Sequence, residues 1–161
     1  MSVFINACII KERVGDCCDS TKFEARCNKY REGAENVVCL DNDVKNEPFD
    51  GCYVYEGTPC SVDISYSTYW DMIQVLYRIR EEVEDMSAYD YALTYSSIDS
   101  CVGYVIAQEM ANELTKYEEF AEKFMKQYFD EEYGALIMDC YKKYIEVLNK
   151  CVEVKGIVYY H

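Results

Sequence analysis

The spacing of hydrophobic residues changes once along this chain, close to residue 65, and that change constrains the fold more than any other feature. Upstream, apolar residues come in short β-branched runs. Val3 to Ile10 reads as a buried strand, and Val37 to Leu40 as a short one inside the polar stretch 14–50. Gly51 to Tyr55 and Cys60 to Ile64 flank Glu56-Gly57-Thr58-Pro59, whose turn residues predict a hairpin. Downstream the period moves toward 3.6. Met72, Leu76, Ile79 and Val83 form one helical stripe over about Thr68 to Glu84, with Ser67 or Thr68 as its cap. Ile106, Met110, Leu114, Tyr117, Ala121, Phe124 and Tyr128 predict one long helix. Leu136 or Ile137, Cys140, Tyr144, Leu148 and Cys151 predict a third, ended by Gly156, after which Ile157 to Tyr160 returns as a strand. The expectation is one α+β domain over residues 1–161: an N-terminal antiparallel sheet, three helices and a short C-terminal strand.

Charge narrows the partners. The net charge is -14, and residues 81–161 hold 17 acidic against 7 basic side chains. Such a surface repels phosphate backbones, so direct binding to nucleic acid is not expected. An acidic surface serves solubility, or imitates a nucleic acid toward a basic protein. The ten cysteines are read as reduced small hydrophobes, because the start of the chain lacks the basic and apolar regions of a secretion signal. No run approaches the roughly 18 apolar residues that span a bilayer, so a cytoplasmic protein without a membrane partner is expected.

Catalytic and metal signatures are thin. There is no Cys-x-x-Cys pair, and a zinc site would have to be assembled from Cys8, Cys17, Cys27 and Cys39; no metal or cofactor is expected. His161 is the sole histidine, which leaves a Ser or Cys nucleophile almost without an imidazole base. The acidic clusters around Glu81 to Asp85, Glu118 to Glu122 and Asp130 to Glu132 read as solvated faces. An enzyme built on Asp99, Cys101 and His161 is the weakest of three functional readings.

The candidate site instead rests on three segments at element ends: Ser65, Tyr66, Ser67, Tyr69 and Trp70; Asp99, Ser100 and Cys101; and Tyr159 with His161. Rings there can stack on a planar ligand, and hydroxyls and helix N-termini near Thr68 and Tyr104 can receive polar groups. Tyr117, Tyr128 and Tyr144 occupy apolar stripes and read as core rings. If residues 157–160 form a strand, Ile157 and Tyr159 share one face with His161, and Val158 and Tyr160 take the other. Tyr159 or His161 is expected close to the Tyr66 to Trp70 segment.

These segments resemble a family of small uncharacterised proteins of phages, prophages and bacteria. Ser65-Tyr66-Ser67-Thr68-Tyr69 is similar to its Ser-Tyr-Ser-x-aromatic stretch. Ser100-Cys101-Val102-Gly103 resembles its Ser-Asp-Cys-x-Gly stretch, with Ser100 where the family has Asp and Asp99 one place earlier. Val158-Tyr159-Tyr160-His161 resembles its aliphatic-aromatic-His end, and the likeness covers about residues 60–161. It implies a mobile-element context in the host cytoplasm, where such proteins act against host defence. Two binding functions are therefore expected in order: sequestration of a small polar ligand such as a signalling nucleotide, or inhibition of a host defence protein through a basic surface. A homo-oligomer is the expected assembly.

Overall fold

The computed structural model describes residues 1–15, 37–40, 48, 51–97 and 101–161. Strand β1 (Ser2–Gly15) leads into the sheet, followed by β2 (Val37–Leu40) and β3 (Gly51–Ser65). Helices α1 (Tyr66–Glu82) and α2 (Asp90–Tyr95) come next, then β4 (Cys101–Gly103). The chain ends with α3 (Tyr104–Lys116), α4 (Glu118–Tyr128), α5 (Glu131–Glu153) and β5 (Ile157–Tyr160). The class is α+β. Among the described residues all strand pairs are antiparallel, in the order β2-β3-β1-β5-β4.

The expected hairpin at residues 56–59 is absent, because β3 runs straight through it. Its turn residues are spent on irregular pairing instead. Ala7 faces Cys60, Ile9 faces Gly57 and Ile10 faces Tyr55, so β3 carries extra residues around Pro59 and Glu56. Proline lacks the N–H that a ladder needs, and a bulge is where a strand tolerates it. Bulges also bend and twist a sheet. The edge strands β2 and β4 come into contact, curling the sheet around a small cluster of Val38, Leu40, Tyr53, Cys101 and Ile157.

The opposite face carries the main core. Val3, Ile5 and Ala7 of β1 alternate inward, with Val62 and Ile64 of β3 and Val158 and Tyr160 of β5, against the buried stripes of the helices. The cap of α1 is Ser65, not Ser67 or Thr68: its hydroxyl accepts from the Thr68 amide at 3.1 Å. The long helix expected over 106–128 is two, separated at Tyr117. Tyr117 is pinned from outside the helix, its ring 5.1 Å from Tyr89 and its hydroxyl donating to Asp85 at 3.0 Å. Gly156 does not supply the left-handed residue at the end of α5; Lys155 does, at φ 49°. Gly156 is needed for space, since a Cβ there would lie 2.0 Å from the Cys8 carbonyl oxygen of β1.

Candidate functional site

The first predicted segment straddles the β3–α1 junction and splits between surface and core. Tyr66 and Trp70 are 46% and 53% exposed, while Tyr69 is buried. Helical spacing accounts for the split: Tyr66, Trp70 and Tyr77 fall within about 40° of one another around the α1 axis, whereas Tyr69 points to the stripe of Met72 and Leu76. Tyr77, 45% exposed, is a member that the sequence reading missed. It stands seven residues after Trp70, which was signal enough to find it. Ser65 and Ser67 are exposed, their hydroxyls 3.1 Å apart, and Ser65 is engaged in capping.

Inside, Tyr69 donates its hydroxyl to the Ser96 carbonyl. The Ser96 hydroxyl meets that of Tyr144 at 2.6 Å, and Tyr144 meets Tyr160 at 2.7 Å. This chain ties α1, the end of α2, α5 and β5 together. Burial drives the phenol pKa values of Tyr69, Tyr144 and Tyr160 upward, so all three are neutral donors at physiological pH. A second buried pair repeats the device: Tyr89 meets Tyr141 at 3.1 Å, and Tyr141 donates to the Leu114 carbonyl at 2.6 Å.

Of the second segment, Asp99 and Ser100 lie outside the described residues. Cys101 opens β4, not a helix, and is buried opposite Tyr159 of β5. Paired residues share a face, so Cys101, Tyr159 and His161 lie on one side of the sheet as alternation requires. His161 is ordered by β1: its amide donates to Phe4 O at 3.0 Å and its carbonyl accepts from Phe4 N at 2.7 Å. Its ring stacks on Tyr159, centroids 4.9 Å apart and 5° from parallel, and on Phe4 at 5.3 Å and 25°. Phe4, 39% exposed, was not foreseen as part of this group. Tyr159 and His161 form one group with Cys101. Tyr66 and Trp70 form another, with β1 lying between β5 and the strand that leads into α1.

Burial raises the thiol of Cys8, up to about 12, and those of Cys60, Cys140 and Cys151, which disfavours thiolates at these positions. Among the described residues no group of three His, Cys, Asp or Glu side chains is placed to hold a metal ion. Cys17 and Cys27 of the four-cysteine zinc set lie outside the described residues. Several acidic clusters are engaged: Asp85 accepts from the Ser87 amide and hydroxyl, Glu82 from Tyr128, and Asp130 caps α5 through the Tyr133 amide. Tyr128, expected in the core, is 49% exposed. Tyr144 is fully buried, as its stripe required. Arg80 is committed to the Ala88 carbonyl and Asp90, and Glu113 holds the Tyr91 and Ala92 amides at the start of α2. No described helix is long and apolar enough to cross a membrane. Comparison with known protein families, with curated proteins and with solved structures finds no match.

Proposed function

We propose that this is a binding protein without catalytic activity, acting in the cytoplasm on a partner protein whose basic surface docks on α1. The observation that carries the reading is the exposed aromatic ridge of Tyr66, Trp70 and Tyr77 on one side of that helix. Tyrosine and tryptophan dominate the energetic centres of protein interfaces, since each buries a large rigid surface and still offers a polar atom. The net charge of -14 adds long-range attraction for a basic partner and repulsion for nucleic acid. The resemblance to phage and prophage proteins points to a host defence protein as that partner. Affinity capture from host lysate tests the reading. A partner should be retained at low salt, released as salt rises, and lost with Trp70→Ala/Tyr77→Ala. Retention that ignores both changes would overturn it.

A second reading, sequestration of a small polar ligand such as a signalling nucleotide, is favoured by one feature. Phe4, His161 and Tyr159 stack with rings 4.9 and 5.3 Å apart on the face that also holds Cys101. A planar base could extend such a stack. Calorimetric titration with cyclic and ADP-ribose-type nucleotides decides it. Folded protein that gives no heat with any of them excludes this second function.

A further inference from the structure

Helices α4 and α5 are joined by the short connection at Phe129 and Asp130, and a cavity of about 580 Å³ lies between them. That falls within the roughly 300–1,000 Å³ typical of ligand sites. None of the residues that form the two aromatic groups lines it. Its apolar lining is Met125, Phe129, Ala135 and Met138, with Gly134 at the crossing, where a Cβ would come within 3.2 Å of the Met125 carbonyl oxygen. Met125 and Met138 are buried and form its floor, Phe129 is half-buried and Ala135 is exposed at the rim. Along α5 the lining runs from Glu131 to Lys142, about 16 Å or three helical turns.

The charge around this groove is one-sided. Four carboxylates line it against two ammonium groups: Glu122 pairs with Lys126 at 3.0 Å, Asp139 with Lys143 at 2.7 Å and Lys142 with Glu118 at 3.9 Å, which leaves Asp130 and Glu131 as the excess. Glu131 has no ion-pair partner among the described residues, and it sits with Asp130 at the N-terminal end of the α5 wall. A three-turn groove with methionines in its lining and excess negative charge complements one kind of segment, a helix with an aliphatic stripe flanked by lysine or arginine.

We propose that the α4–α5 groove receives a basic amphipathic helix of the partner protein, an inference that rests on the reading of this chain as an acidic interaction protein. The probe is a fluorescein-labelled synthetic helix with leucine at i, i+3, i+4 and i+7 and lysine elsewhere, titrated by anisotropy in physiological salt. A counterpart with glutamate for lysine is the control. The lysine peptide should saturate and the glutamate peptide should not. Ala135→Arg, at an exposed position that fills and repels in the groove, should weaken the lysine peptide about tenfold or more while leaving the circular dichroism spectrum intact. Ser61→Arg adds the same charge on exposed β3 and should leave the affinity unchanged. Absence of saturable binding, or equal losses from the two arginine variants, overturns the proposal. Trp70, the only tryptophan, separates this from the ridge. Its emission should not move on saturation; a shift would seat the peptide on α1, overturning the groove assignment while leaving the proposed function standing.

Discussion

Trp70 and Tyr69 are neighbours in sequence, as are Tyr159 and Tyr160, yet each pair divides between two regions that do different work. Trp70 stands with Tyr66 and Tyr77 on the outside of α1, and Tyr159 stacks with His161 on the side of the sheet that holds the small cluster around Cys101. Tyr69 and Tyr160 turn inward to Ser96 and Tyr144. Outside, the rings of Tyr66, Trp70 and Tyr77 face solvent. Inside, the same chemistry holds four elements together, and its removal leaves other buried polar atoms unmatched. One step of phase, 100° on a helix or 180° on a strand, separates a candidate contact from a structural strut.

The comparison predicts four outcomes, the largest first. The inner phenols have pKa values raised by burial above the ordinary tyrosine value of about 10, so the fold favours their protonated forms. Their stabilising contribution is complete below pH 10 and is lost as pH rises above it, by about 1.4 kcal/mol per pH unit for each group. Alkaline titration should therefore unfold the protein cooperatively. Phenolate absorbance that developed for all 17 tyrosines before any loss of circular dichroism would contradict the inner network.

Next in size, Tyr160→Ala should lower stability by about 3–5 kcal/mol in urea unfolding, the range for deleting a buried aromatic ring. Tyr159→Ala, on the half-buried side, should cost clearly less. Equal losses would erase the distinction between the faces. Tyr144→Phe keeps the ring but strands the Ser96 and Tyr160 hydroxyls, and should cost about 1–3 kcal/mol. Smallest in stability is Trp70→Ala/Tyr77→Ala, within about 0.5 kcal/mol of the parent by urea unfolding. A larger loss would show the ridge to be packing surface rather than docking surface.

How much of this was legible depends on whether a residue's neighbours along the chain decide its place. The order of sheet, helices and final strand follows from the change of hydrophobic period near residue 65, a local signal. So does the alternation that sets Tyr159 against Tyr160. The separation at Tyr117 was not legible, because the apolar stripe continues across it and the contacts that pin it, Tyr89 and Asp85, are about thirty residues distant. Glu56-Gly57-Thr58-Pro59 carries turn chemistry that served equally well for bulges once β1 was available to pair. Strand β4 has three residues, too few for any period. Within the site, Tyr69 and Trp70 share one aromatic segment, and helical phase is the signal that parts them. Phe4 joined Tyr159 and His161 through pairing between the first strand and the last, which no local pattern announces.

That last pairing has a kinetic consequence. Ile5 faces Tyr160 and Cys8 faces Ile157, so β5 lies between β1 and β4. Contacts this remote in sequence form only after a long loop is closed, and loop entropy opposes them until the rest of the fold is in place. The helices close their backbone hydrogen bonds within each element and can form earlier. Insertion of β5, with Gly156 passing against the Cys8 carbonyl, is then expected to close folding, and its removal to open unfolding. Stopped-flow measurement on Val158→Ala should show faster unfolding with little change in the folding rate; slowed folding at unchanged unfolding would place β5 in the nucleus instead.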